Sequence, residues 1–101
     1  MAPSSQTINV GMIGYQFMGK AHSHAFKDVG MFFEPRLSPV MKVLCGRTEG
    51  KLRAAAELYG WEETETDWER LVAREDVDLV DIAGPNWLHA PAAIALTISP
   101  E

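Results

Sequence analysis

The chain has 101 residues, 47% of them hydrophobic and 23% charged, a composition and length that allow one small globular domain and no more. Its formal net charge of -5 excludes a protein that tracks nucleic-acid phosphates, because such binding rests on clustered Lys and Arg that release counterions. No apolar run approaches the ~20 residues of a membrane-spanning helix, and the single cysteine, Cys45, has no internal disulfide partner, so a reducing, cytoplasmic location is expected.

Residues 1–7 are small and polar and read as a frayed tail, and residues 8–101 as the folded part. The apolar run 8–13 is short enough for a strand buried on both faces. After a turn at Gly14, the spacing of Phe17, Ala21, Ala25 and Val29 predicts a helix that presents them on one face, with Gly30 as its stop. Segment 31–39 holds Pro35, Pro39 and the cluster Met31, Phe32 and Phe33, which predicts a packed excursion. Residues 40–45 read as a second strand, and 49–59 as a helix whose Leu52, Ala55, Ala56 and Tyr59 share a face before Gly60 ends it.

Residues 61–64 suit a short third strand, and Thr66 or Asp67 can cap a helix over 68–74. Residues 77–83 form the next apolar strand. Segment 86–89 then leads into Pro91, a good first-turn residue, and an apolar helix that Pro100 cuts off. Strands alternating with amphipathic helices predict right-handed crossovers and a doubly wound α/β fold, a parallel sheet covered on both faces. The sheet is expected to be incomplete at the carboxyl end, because no further strand follows the last helix.

The strongest local signal runs from Ile8 to Gly19: a strand, a glycine turn and a helix start. A helix amino terminus offers unpaired N–H groups and a positive dipole end to a pyrophosphate. In G-x-G-x-x-G the first glycine makes the tight turn, the second lets backbone approach phosphate, and the third lets helix pack on strand. Gly14 and Gly19 fit the first and third positions. Gln16 occupies the second, so its side chain must point away from the phosphates or hydrogen-bond to them. The plainer reading is that both glycines serve only a tight strand-to-helix turn.

Several ordered motifs accompany that turn: Gly11-Met12-Ile13-Gly14-Tyr15-Gln16-Phe17-Met18-Gly19-Lys20-Ala21-His22, then Gly46-Arg47, Thr66-Asp67-Trp68, and Asp81-Ile82-Ala83-Gly84-Pro85-Asn86-Trp87-Leu88-His89. Together they make residues 7 to about 97 resemble the Rossmann domain of the glucose-fructose oxidoreductase and inositol dehydrogenase (Gfo/Idh/MocA) family. The resemblance implies a Rossmann-like NAD(P)-binding fold and a nicotinamide dinucleotide as partner. The implied cofactor-binding residues are Gly14, Tyr15, Gln16, Phe17, Met18, Gly19, Gly46, Arg47, Ala83, Gly84, Pro85, Asn86 and His89. In the family the Pro-Asn-x-x-His segment lies by the nicotinamide, which carries over to Pro85, Asn86 and His89. The pair before that proline usually holds Thr or Ser, whereas here it is Ala83-Gly84, leaving the backbone to serve. From the residues alone, Asn86 and His89 read as a turn and a helix cap.

Cofactor choice turns on the end of the second strand, where an acidic residue accepts hydrogen bonds from the ribose 2′-OH of NAD and repels a 2′-phosphate. Gly46 and Arg47 stand there instead. A guanidinium pairs with phosphate in a bidentate way, so NADP is the expected cofactor and NAD the second choice, with Glu49 close enough to contest it and a solvated Arg47 as the plainer reading.

Other candidates are weaker. His22 and His24 lie two apart on a predicted helix and so face different ways, a poor metal pair. Cys45, inside an apolar strand, reads as a small buried hydrophobe. Tyr15 and Phe17 suit an apolar wall at the cofactor mouth, and Trp61, Trp68 and Trp87 suit helix–sheet gaps better than stacking platforms.

In the family the last helix is followed by a further strand, a Glu-Lys-Pro motif and a second, substrate-binding domain with the catalytic residues. The chain is therefore expected to be the amino-terminal, cofactor-side part of an oxidoreductase acting on a sugar, polyol or related CH–OH group, with no catalytic residue of its own. A non-catalytic nucleotide-binding module, or one forming a homo-oligomer through the unfinished sheet edge or final helix, is the alternative.

Overall fold

Strand β1 (Gln6–Ile13) starts two residues ahead of the apolar run, inside the segment read as a tail, because Gln6 and Thr7 find ladder partners in Leu37 and Ser38 of a second strand that also starts early. The structure is a computed structural model that describes residues 6–32, 37–84, 90–91 and 93–95. The remaining elements are α1 (Phe17–Phe32), β2 (Leu37–Cys45), α2 (Glu49–Tyr59), β3 (Glu63–Glu65), α3 (Trp68–Val72) and β4 (Leu79–Ile82). Residues 90, 91 and 93–95 are helical, in the expected place.

The four strands lie in the order β3-β2-β1-β4, all parallel. Side chains alternate across the sheet, as strand geometry requires. Val10, Met12 and Leu44 meet Leu52, Ala55 and Ala56 of α2, with Phe26 of α1 beside them. Ile13, Val43 and Cys45 point the other way and meet Leu71 of α3. The sheet is thus doubly wound, with α1 and α2 on one face and α3 on the other. Gly11 makes room on the α3 face: a Cβ there would stand 2.9 Å from a Leu71 methyl.

Several local expectations need correction. The first is Gly30, which does not end α1. The helix runs on to Phe32, because a glycine stops a helix where the chain turns left-handed, as Gly60 does at φ 93°. The segment 31–39 is largely regular structure: 31–32 belong to α1 and 37–39 to β2, while 33–36 lie outside the described residues. Pro39 fits in β2 because β3 reaches only Val43, Leu44 and Cys45, so one flank of the strand at Pro39 asks for no N–H from the described residues.

The buried face of α1 is also different from the apolar stripe. Ala21 and Ala25 are exposed, while Gly19 and Ser23 are buried and Phe26 half-buried. Close approach of helix to sheet selects small residues, which a count of apolar positions does not detect.

The strand ends also lie up to three residues off the apolar runs, β2 starting at Leu37, and α3 closes at Ala73 ahead of Arg74. Finally, Trp61 is not a strand residue. It turns into the core and is 6% exposed, so β3 starts later.

Candidate functional site

The chain order reverses between β1 and β4: β2 and β3 lie on one side of β1, and the crossover through α3 brings β4 to the other. In open α/β sheets the crevice at such a switch point, outside the carboxyl ends of the strands, is where ligands bind. A cleft of about 550 Å³ opens there. Its floor is made of main chain that continues the sheet ladder by one residue beyond β1, β4 and β2: Gly14 N–H donates to the Cys45 carbonyl at 2.8 Å, Ala83 N–H to that of Ile13 at 2.8 Å, and Gly46 N–H to that of Glu65 at 3.2 Å.

The glycines shape this floor before any ligand arrives. Gly14 sits at φ 107°, where an L side chain is strained, and a Cβ would stand 2.7 Å from the Ala83 carbonyl oxygen. A Cβ at Gly19 would run into the Gly14 carbonyl oxygen, and one at Gly46 into the Tyr15 ring. Gly19 therefore performs the helix-on-strand packing expected of a third glycine, and Gly14 the tight turn. Gln16, in the second position, is exposed at the cleft rim, free to stand clear of a bound group.

Gly14, Tyr15, Gln16, Met18, Gly46, Arg47, Ala83 and Gly84 all line this one cleft. Gly19 is buried just beneath it. Phe17 opens α1, and its side chain lies outside what the structure describes. Pro85, Asn86 and His89 also lie outside the described residues. The cleft further includes Cys45, Thr48, Thr66 and Trp68, which were not read as site residues. Cys45, Gly46 and Thr66 follow from one rule that was available, that residues at or just past the carboxyl end of a parallel strand face the crevice. Trp68 shares its ring between this cleft and the α3-side core.

Among the described residues, the cleft lining carries one guanidinium, Arg47, and no carboxylate. Glu49, the acidic residue nearest in sequence, is held by Arg53 one turn along α2, at 3.0 Å. Burial pushes the Cys45 thiol up to about 12, with Glu65 and Asp67 adding to it, so it stays protonated and is a packing group. His22 Nδ1 lies 2.7 Å from Asp81 Oδ2, tying α1 to β4, and His24 pairs with Asp28 on its own helix. Among the described residues no group of three or more His, Cys, Asp and Glu side chains could hold a metal ion. Nor is any helix among them long and apolar enough to cross a membrane.

Comparison with known proteins agrees with this geometry. Residues 8–98 match the Gfo/Idh/MocA family model, described as an oxidoreductase family with an NAD-binding Rossmann fold. A levoglucosan dehydrogenase of Pseudarthrobacter phenanthrenivorans is 45% identical over 91 residues, covering 89% of this chain and 23% of that protein. The crystal structure of an oxidoreductase domain protein from Kribbella flavida is 48% identical, with a TM-score of 0.86 over 90% of this chain and 24% of its own. A levoglucosan dehydrogenase solved in complex with NADH is 44% identical, with a TM-score of 0.87 over 90% and 25% of the two chains. The chain thus spans about a quarter of the length of these relatives. It belongs to this oxidoreductase family and carries its NAD-binding Rossmann fold.

Proposed function

We propose that the cleft binds a nicotinamide dinucleotide with its pyrophosphate over the Gly14 turn and the amino terminus of α1. The adenosine end lies toward Gly46, Arg47 and Thr48, and the nicotinamide end toward Ala83 and Gly84, with Pro85, Asn86 and His89 beyond them. The convergence of the glycine turn, the helix start and Gly46-Arg47 on one switch-point cleft carries this reading. The absence of a carboxylate from the described lining, together with Arg47, favours NADPH over NADH, since a guanidinium suits a 2′-phosphate. The NADH complex of the 44% identical relative supports NADH as the second ligand.

In the whole protein this cofactor-side part serves an oxidoreductase acting on a sugar, polyol or related CH–OH group, a class to which levoglucosan dehydrogenase belongs by name. Hydride transfer needs a substrate held against the nicotinamide and an acid or base within reach of its hydroxyl proton. This chain supplies the cofactor side of that arrangement. Cys45, a free thiol, is compatible with a reducing, cytoplasmic setting. Association of two copies along β4 is the competing reading, favoured by Leu79, 43% exposed on that strand; a single monomeric species across a sedimentation concentration series would remove it.

Titration with NADPH and with NADH, followed by nicotinamide fluorescence and by thermal stability, tests the proposal, since a ligand of the folded state must raise the melting temperature. Tighter binding of NADPH is expected, and Arg47→Asp should weaken it by about tenfold or more while sparing NADH. Tighter NADH binding unaffected by Arg47→Asp would assign NAD instead. Failure of a demonstrably folded chain to bind either would overturn the reading.

A further inference from the structure

Beneath the glycine turn, α1 is joined to the end of α2 by a buried hydrogen-bond relay. The Trp61 indole Nε1–H donates to Ser23 Oγ at 2.9 Å, and the Ser23 hydroxyl donates to the Gly19 carbonyl at 2.7 Å. The direction is fixed by chemistry. An indole N–H only donates, so Ser23 must accept from it, and the one hydroxyl proton is then left for Gly19. Ser23 is 2% and Trp61 6% exposed, and neither lines the cleft.

Both ends of the relay are anchored. On one side, the N–H groups of Gly60 and Trp61 both donate to the Ala56 carbonyl, at 2.9 and 2.8 Å, which sets the indole at the left-handed cap of α2. On the other, Gly19 packs so tightly on the Gly14 carbonyl that no Cβ fits, and Gly14 is hydrogen-bonded to Cys45. An alanine and a phenylalanine at these positions would fill the same core without burying a hydroxyl and an N–H. Buried polar pairs of this kind fix geometry where apolar contacts permit sliding. The geometry fixed here is the position of the first turn of α1 over β1, and hence of the N–H groups that face a pyrophosphate.

We propose that Ser23 and Trp61 are positioning residues for the dinucleotide turn, holding the amino-terminal turn of α1 in register with Gly14 although neither touches the ligand. The proposal rests on the cleft's being the dinucleotide site. Two arms test it on the full chain with Ser23→Ala, Trp61→Phe and the double variant, each shown folded by circular dichroism and studied well below its melting midpoint. Amide hydrogen exchange without ligand should be about tenfold faster over residues 17–23 in each variant, with the β1 and α2 cores unchanged. Calorimetric titration with NADPH should give a Kd raised about fivefold or more in each single variant, with the double variant no weaker than the weaker single one, as expected for two groups in one network. Exchange in 17–23 equal to the parent's in both single variants overturns the proposal. So does an unchanged Kd in both when the parent binds. A parent that binds no dinucleotide sinks the reading of the cleft, while the exchange arm still decides whether the relay holds the turn.

Discussion

Alanine in place of Gly19 and alanine in place of Gly50 are expected to move stability in opposite directions, although both glycines lie in helices. Intrinsic propensity favours alanine over glycine in a helix by about 0.8–1 kcal/mol, and by less in a first turn. Gly50 in α2 faces open space, with nothing within 4 Å of a built Cβ, so Gly50→Ala should gain roughly 0.5 kcal/mol. At Gly19 the new Cβ runs into the Gly14 carbonyl, a main-chain atom that cannot swing aside as a side-chain tip would. Gly14 is itself fixed at φ 107° and hydrogen-bonded to Cys45, so α1 must lift from β1. Overpacking of that kind costs up to about 3 kcal/mol, leaving a net loss of about 2 kcal/mol after the helix gain. For a domain of this size 1 kcal/mol moves the melting temperature by about 4–8 °C. Thermal unfolding by circular dichroism should show Gly50→Ala about 3 °C above the parent and Gly19→Ala about 10 °C below. A Gly19→Ala variant as stable as the parent would refute the claim that this glycine exists for close packing.

Three further outcomes are expected. Asp67 caps α3 by accepting a hydrogen bond from the Glu69 N–H at 3.0 Å, so Asp67→Ala should cost about 1 kcal/mol while Asp67→Asn costs little, as read from denaturant midpoints. The Arg74 guanidinium holds Glu63 and Asp76 below the usual carboxylate range, with Lys42 adding to the effect on Glu63. Depressed carboxylates stabilise the fold above their unfolded values near pH 4, and that stability is lost as pH falls through the lower folded values. Urea midpoints between pH 6 and 2.5 should therefore fall less steeply in Arg74→Met than in the parent, and high salt should narrow the difference because all three groups lie near the surface. Cys45, 2% exposed and with its thiol pushed up to about 12, should react with a thiol reagent at pH 8 more than tenfold faster in urea than in buffer; equal rates would show that the cleft floor opens readily.

The strand–turn–helix signal at 8–19, the α2 face of Leu52, Ala55 and Ala56, the Gly60 cap and the Asp67 cap were all legible in the sequence, because each depends on residues close together in the chain. What was not legible depends on neighbours across the sheet. The early starts of β1 and β2 arise from mutual pairing of polar or proline-containing stretches, Gln6 with Leu37 and Ile8 with Pro39. The inward face of α1 is Gly19, Ser23 and Phe26, two of them small, so the apolar periodicity pointed elsewhere. Among the cleft residues, the glycine turn and Gly46-Arg47 were readable as local motifs, whereas Trp68 joins the cleft only because β3 and α3 lie beside β2.

The ladder bonds that carry the cleft floor past the strand ends have a kinetic meaning. Gly14, Gly46 and Ala83 are each tied to the neighbouring strand, so this floor moves with the sheet as one plate. Adaptation to an incoming molecule is then left to rim side chains such as Gln16, Met18 and Arg47, which exchange rotamers within nanoseconds. Capture should proceed without a slow rearrangement of the floor, and little of the binding energy is spent on ordering its main chain. Differences in residence time between variants of this cleft would then arise at its rim.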